Sequence, residues 1–304
     1  MKHDTAGDPI TGLKWTRRTT AKVAAELRSA GLDVSARTVA RLLHALGFSL
    51  RVNHKKLSRG SPPERDAQFR RIAVLREDFD ARALPVVSVD SEKKEMVGRF
   101  KNGGATWERE PVKVNDHDFR SDASGMAIPY GIHDLAANRG SVFVGTSHDT
   151  PAFAVDAIEA WWRTEGRQRY AGVQQLAILA DGGGSNGPRC RAWKHGLQTR
   201  LCDRHGLTVT VAHYPPGASK WNPIEHRLFS EISKNWAGRP LDSYETILNY
   251  LRTTRTAPGL RVRARLVRKP YEKGLTVTNT QMRSLHLTQD TSSPKWNYTL
   301  RPTT

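Results

Sequence analysis

Leu84-Pro85-Val86-Val87-Ser88-Val89-Asp90 is a short apolar run that stops on a carboxylate, and Leu176-Ala177-Ile178-Leu179-Ala180-Asp181 repeats the pattern farther along the chain. Short runs rich in apolar side chains and bounded by turn formers read as strands buried on both faces. Both acids therefore emerge at strand ends. If the two strands are neighbours in one sheet, their carboxylates project into one cleft, and hard oxygen ligands gathered there suit Mg²⁺ or Mn²⁺. A single Asp at a strand end is commonly a turn former or a helix cap. Two at matching ends favour a shared role.

Outward from these runs the pattern alternates between strand and helix. Segments 95–100, 127–134 and 141–145 read as further strands. A helix over 151–165 precedes the strand 175–181. Helix 188–205, a strand over 207–213 and helices through 221–255 follow it. Antiparallel strands first, then β-α alternation, describe an α/β fold: an RNase H-like mixed sheet flanked by helices. A helix from 64 to about 79 leads into the sheet with Phe69, Ile72 and Leu75 on one face, and Trp161 and Trp162 read as packing residues.

Residues 19–50 read as two helices, forming an N-terminal helix-turn-helix region. Val23, Ala24 and Leu27 mark the first, Gly31 ends it, Ser35 caps the second, and Val39, Leu42, Leu43 and Leu46 line it. Arg37, Thr38 and Arg41 lie on its polar side near the start, where a recognition helix meets DNA, although an ordinary helical hairpin has the same pattern. Residues 51–63, with Lys55, Lys56, Arg59, Gly60 and Pro62-Pro63, read as a basic linker. After Gly259, Arg261, Arg263 and Arg265 alternate with Val262, Ala264 and Leu266, an edge strand whose charged face is either solvated or contacts phosphate. The organisation expected is 1–63 for the DNA-binding region and linker, 64–256 for the catalytic domain and 257–304 for a basic C-terminal extension.

The 304 residues carry 48 Lys+Arg against 30 Asp+Glu, a net charge of +18. Such an excess draws phosphate backbones through counterion release and points to nucleic acid. The two cysteines, Cys190 and Cys202, are too few for a disulfide framework and suit a reducing compartment, so the expectation is cytoplasmic. No apolar run approaches the ~20 residues of a membrane span. Cys190, His195, Cys202 and His205 lack the paired short spacing of a structural zinc site. His117-Asp118 and His133-Asp134 are weaker acidic candidates, since neither closes a strand as Asp90 does. The glycines from Gly182 to Gly187 follow an acid instead of preceding a lysine, which argues against an ATPase loop.

The third chemical element is the turn-rich stretch His213-Tyr214-Pro215-Pro216-Gly217-Ala218-Ser219-Lys220-Trp221-Asn222-Pro223-Ile224-Glu225-His226-Arg227. Asn222 suits the cap of a helix, Pro223 its first position and Glu225 its first turn, so Glu225 also fits a purely structural capping role. Asn222-Pro223-Ile224-Glu225 resembles the final-acid motif of transposases related to the mariner group. The chain from about Trp15 onward is similar to the ISAzo-thirteen-like group of bacterial insertion-sequence transposases. Supporting blocks are Arg65-Asp66-Ala67-Gln68-Phe69, Ser88-Val89-Asp90 with Lys93-Lys94-Glu95, Ala127-Ile128-Pro129-Tyr130-Gly131, Ala180-Asp181-Gly182-Gly183-Gly184-Ser185-Asn186-Gly187 and Trp296-Asn297-Tyr298.

The resemblance implies a DDE transposase with Asp90, Asp181 and Glu225 as its three acids. Three carboxylates repel one another unless cations sit between them, and two Mg²⁺ or Mn²⁺ ions can activate an attacking oxygen and stabilise a leaving one. It also implies double-stranded DNA as partner, both terminal inverted repeats and target DNA, a homo-oligomeric active complex and a nucleoid-associated setting. Relatives are expected to carry a further helix-turn-helix region ahead of the segment that begins near Trp15. Lys220 and Arg227 beside the third acid, with Arg37, Thr38, Arg41, Lys55, Lys56, Arg261 and Arg263, are the candidate DNA contacts. An RNase H-like nuclease without strand transfer and a catalytically silent DNA-binding repressor are the competing functions.

Overall fold

The computed structural model describes residues 5–7, 14–16, 19–49, 64–218 and 221–303. The chain divides into two compact units, Met1–Arg59 and Gly60–Thr304. The expected linker, with Lys55 and Lys56, lies outside the described residues, as does Lys220.

In the first unit β1 (Thr5–Gly7) and β2 (Lys14–Thr16) pair antiparallel. Helix α1 (Thr20–Ser29) is capped by Thr19, whose hydroxyl accepts from Lys22 N, and the chain turns out of it at Gly31 with φ +85°. Helix α2 (Ala36–Ala45) starts at Ser35, whose side chain accepts from Thr38 N as the sequence predicts. Val23, Ala24 and Val39 are buried between the helices, with Leu27, Val34 and Leu43 packed against them. Leu42 and Leu46, part of the apolar set that marks the second helix in the sequence, are 47% and 72% exposed. Two helices offer one shared seam, and the apolar stripe of α2 is wider than that seam.

The second unit is built on one mixed sheet. Its strands are β3 (Val86–Ser91), β4 (Glu95–Val97), β5 (Gly125–Asp134), β6 (Arg139–Gly145), β7 (Gln175–Ala180), β8 (Thr208–His213), β9 (Arg261–Val267), β10 (Leu287–Gln289) and β11 (Asn297–Leu300). They run in the order β10-β11-β8-β7-β3-β5-β6-β9, with β4 paired to β5 off this path. β3, β5 and β6 are antiparallel, and β3, β7 and β8 are parallel, which is the RNase H-like arrangement. β9 extends one edge parallel to β6; β11 and β10 extend the other edge antiparallel. Strands from 257–304 thus share the sheet with those from 64–256. β4 is shorter than the 95–100 expected, because Gly98 N leaves the ladder to donate to Leu241 O at 2.9 Å.

Helices cover both faces of this sheet: α3 (Arg65–Ala81), α4 (Pro151–Trp161), α5 (Arg167–Arg169), α6 (Arg191–Leu197), α7 (Asp203–His205), α8 (Ser230–Asn235), α9 (Tyr244–Thr253) and α10 (Asn279–Arg283). Period-two alternation sorts each strand between the layers. Leu176, Ile178 and Ala180 of β7 join Val87, Val89, Phe153, Ile158, Trp161 and Trp193 on the α4/α6 side. Ala177 and Leu179 face the other way, onto Ile72, Leu75 and Phe79 of α3. Both faces of β7 are therefore dry, which is why its sequence is apolar without a break. Beside α3 on that second face, Ile224, Leu228, Phe229, Ile232 and residues of α9 pack over Ala127, Val142, Val144, Val262 and Ala264. The helix read as 151–165 is α4 continued by a π-helical turn, Trp162–Gly166, and that read as 188–205 is α6, a π-helical turn Gln198–Cys202 and α7. No helix among the described residues is long and apolar enough to cross a membrane.

Candidate active site

Val89 of β3 and Ala180 of β7 are register partners in a parallel pair, so Asp90 and Asp181 follow one another across two adjacent strand ends. Neighbouring strands lie about 4.8 Å apart. Val89 and Ala180 face the α4 layer, so the next residue on each strand turns to the opposite side, the side of α3 and the helix that begins near Pro223. Glu225 opens the π-helical turn Glu225–Phe229 of that helix. The three acids feel one another. Burial, helped by the charges of Asp181, Glu225 and Asp149, pushes the Asp90 carboxyl up to about 8 against the hydrogen bond it accepts from Ser91 N at 2.8 Å. Burial and the charge of Asp181 likewise raise Glu225. Asp181 Oδ1 accepts from Gly183 N at 2.7 Å, the first contact of the glycine-rich loop.

Two small residues set the Glu225 helix against the sheet. Gly131 is the register partner of Asp90, and a Cβ there would lie 2.5 Å from Phe229 Cε1 and 2.9 Å from Ile224 Cδ1. Only the missing side chain lets that helix sit so near the acid. Ser88, buried on β3 two residues before Asp90, accepts from Ile224 N at 3.2 Å and donates to Asn222 Oδ1. Asn222 therefore does not cap the helix through its side chain, as the sequence suggested. Its carbonyl accepts from Glu225 N at 3.1 Å, its side chain is turned to β3, and its buried Nδ2 has no hydrogen-bond partner among the described residues.

The loop after Asp181 is held from below. Tyr130 Oη donates to Asn186 Oδ1 at 3.1 Å, and His213 Nε2 lies 2.7 Å from Asn186 O. The other ring nitrogen of His213 is 2.9 Å from Trp296 O. Burial drives the His213 pKa down, opposed by the two carbonyl oxygens. Gln68 of α3 donates to His213 O at 2.8 Å and exchanges two hydrogen bonds with the Asn297 amide, each 2.7 Å. The scattered sequence blocks at 65–69, 127–131, 180–187 and 296–298 thus meet at one place.

Asp90, Asp181, Asp149, Glu92, Lys93 and Lys94 line a cavity of about 540 Å³ with the loop 183–185. Ser91 Oγ donates to Asp149 Oδ1 at 3.1 Å, and Lys94 Nζ is 3.7 Å from Asp149 Oδ2. Burial, then the charge of Glu225, pushes Glu92 up to about 7. Among the described residues no group of three or more His, Cys, Asp or Glu side chains is arranged to hold a metal ion. The donor set nevertheless fits hard cations: it is all oxygen, it is partly buried, and its members raise one another's affinity for protons. A cation replaces those protons with less repulsion.

The family described as Rhodopirellula transposase DDE domain matches residues 1–302. The chain belongs to that family. It is the ISAzo-thirteen-like group that the sequence blocks resemble. No curated protein matches the chain. Among solved structures, a Mos1 transposase paired-end complex with left transposon end shares 16% identity over 77% of this chain and 65% of that chain, with a TM-score of 0.45. The Mos1 strand transfer complex gives 16% identity, 77% and 64% coverage and a TM-score of 0.45. The chain spans about 65% of the length of that first Mos1 chain.

The other sequence-predicted positions of this DDE domain chain fall away from the acids or beside them. Arg227 is exposed, two residues after Glu225. Trp221 is 44% exposed, packs edge-on against Phe69 at 5.6 Å and lies under Arg65 at 4.9 Å. Arg261 and Arg263 occupy the exposed face of β9, as the alternation predicts. Arg37 and Arg41 are exposed on α2, and Thr38 Oγ1 is 3.0 Å from Ser35 Oγ. His133 and Asp134 are buried at the far end of β5, where Asp134 accepts from Arg169 and Tyr170 at 2.6 and 2.7 Å. Ser88, Gly131, Asp149, Glu92 and His213 were not singled out from the sequence. A serine inside the apolar run 86–89 is the one visible signal among them.

Proposed function

We propose that this protein is a DDE transposase that cuts and rejoins DNA strands of an insertion sequence. The observation that carries this reading is Asp90: a carboxyl at the end of β3, beside the end of β7, pushed up to about 8 by burial and by Asp181, Glu225 and Asp149. Such a group is an acid waiting for cations, and Asp90, Asp181 and Glu225 are the proposed ligands of two Mg²⁺ or Mn²⁺ ions. Bound there, the ions supply Lewis-acid activation of an attacking oxygen and charge neutralisation at the leaving one. Asp90, whose carboxyl responds to the charges of both Asp181 and Glu225, would be the ligand common to both ions. Gly183 N fixes the Asp181 carboxylate, Ser88 and Gly131 fix the approach of Glu225, and Lys93 and Lys94 on the rim attract the phosphodiester.

In the first step water attacks the phosphodiester, the phosphorus–O3′ bond breaks, and a 3′-hydroxyl and a 5′-phosphate result. In the second, that 3′-hydroxyl attacks a target phosphodiester and displaces the target's own 3′-oxygen. Neither step requires a covalent enzyme intermediate. Arg37, Thr38 and Arg41 on α2, with Lys55, Lys56, Lys220, Arg227, Arg261 and Arg263, are the proposed DNA contacts. A homo-oligomer working on terminal repeats and target DNA in the bacterial cytoplasm completes the reading. The test supplies element-end duplex with Mg²⁺ or Mn²⁺ and follows nicking and joining separately. Both products are expected. Nicking alone indicates a nuclease, and binding with neither product indicates a silent repressor.

A further inference from the structure

We propose that the cavity at the starts of β6 and β9 binds a backbone phosphate of DNA other than the one being cleaved. Arg139, Arg169, Arg252, Arg255, Arg261 and Arg263 line this space of about 640 Å³. Three of these arginines have carboxylate partners. Arg169 pairs with Asp134 at 2.6 Å and Glu165 at 3.8 Å, Arg263 with Glu165 at 3.6 Å, and Arg252 with Glu245 at 3.5 Å. Glu165 is buried and also accepts from Ser141 Oγ at 2.8 Å, so this wall is fixed. Arg139, Arg255 and Arg261 have no carboxylate within ion-pair reach among the described residues.

Backbone pairing puts those three in a row. Arg261 is the register partner of Arg139 and forms a bridge to Arg255 on its other side. Like charges set directly opposite in a sheet repel and destabilise it, and here the sheet holds three of them against one cavity. An anion removes that repulsion. Forked guanidinium groups around a space of this size suit phosphate oxygens, which accept two hydrogen bonds from each fork.

The row lies at the opposite end of the sheet from the acids. Arg139 pairs with Asp134, Asp134 pairs with the β3 neighbourhood of Val87, and Asp90 is farther up that strand. Strand spacing and rise put Arg261 about 17 Å from Asp90, Cα to Cα. A phosphate in the cavity therefore belongs to nucleotides about five base pairs or more from the reacting one, at 3.4 Å per step. The identity of the anion as DNA rests on the function proposed above.

The test measures binding of a labelled random-sequence duplex by fluorescence anisotropy against salt, without divalent metal so that cleavage cannot contribute. Wild type is compared with the triple variant Arg139→Gln/Arg255→Gln/Arg261→Gln. Each lost phosphate contact lowers the slope of log K against log salt by about 0.9. The triple variant is expected to lose about one to three such contacts and to bind roughly tenfold more weakly or worse near 0.1 M salt. If it does not keep the wild-type circular dichroism, Arg255→Gln alone is read, with one contact expected to be lost. Equal slopes for wild type and variant overturn this site and leave the transposase reading standing. Failure of wild type to bind duplex at all overturns both. An arginine-dependent rise in melting temperature with inorganic phosphate at constant ionic strength, with DNA affinity unchanged, makes the cavity a free-phosphate site and overturns the DNA assignment.

Discussion

The two ends of the central sheet carry opposite unresolved charge. At the ends of β3 and β7, Asp90, Asp181, Glu92 and Asp149 crowd a cavity and the charge of Glu225 reaches Asp90; at the starts of β6 and β9, Arg139, Arg255 and Arg261 stand in a row. Asp90, Glu92 and Glu225 escape this repulsion by holding protons more tightly, since burial and neighbouring negative charge both raise a carboxyl pKa. Arginine has no such exit, because its pKa lies above 12. One end is thus tuned by pH and cations, the other only by salt and anions.

The largest effect is expected at the acidic end. Asp181→Ala should lower strand nicking by about three orders of magnitude, several kcal/mol of lost charge stabilisation, while duplex affinity changes little. Nicking at the wild-type rate removes Asp181 from the site. Next comes geometry without charge. Gly131→Ala places a Cβ against Phe229 and Ile224, shifts the Glu225 helix, and should slow nicking about 10- to 100-fold. Phe229→Leu in the same chain should restore part of the rate, and no rescue means the loss has another origin.

Stability then separates the two ends. The native pKa of Asp90, about 8, lies above its unfolded value of about 3.9. Between those values the folded state holds the extra proton, so metal-free stability falls as pH rises through that window and levels off above about 8. Asp90→Asn in chelator should therefore melt a few degrees above wild type at pH 8, with no gap at pH 3. A gap independent of pH contradicts the assigned titration. The smallest effect is at the arginine end. Arg255→Gln should raise metal-free stability to urea by about 0.2–1 kcal/mol at low salt, and the gain should vanish in 1 M salt. A gain that survives high salt is not relief of repulsion.

The difference between the ends also explains what was legible in the sequence. Asp90 and Asp181 close dry apolar runs, and the alternation of strand and helix patterns gives a mixed α/β sheet, while the order of its strands depends on long-range pairing. Glu225 was legible only through its loop motif, because a first-turn glutamate is equally a cap. Gly131 and Ser88 act on a helix that begins near position 223, so although a serine breaks the apolar run 86–89, nothing local tells what either residue touches. The charged face of β9 was visible as alternation, but its alignment with Arg139 is a long-range register that periodicity does not contain. The exposure of Leu42 and Leu46 was hidden for a related reason: a stripe tells which face is apolar, not whether anything covers it.

β11 fills the place beside β8, and the Gln68–Asn297 amide pair joins the first helix of the unit to that strand across nearly its whole length. During synthesis β8 leaves the ribosome with a bare edge, and Gln68 waits for a partner more than two hundred residues downstream. The frame under the Asp181 loop closes only when residues near 297 have emerged. A product stopped short of Trp296 would carry all three acids and Gln68, yet leave His213 without one of its two carbonyl partners.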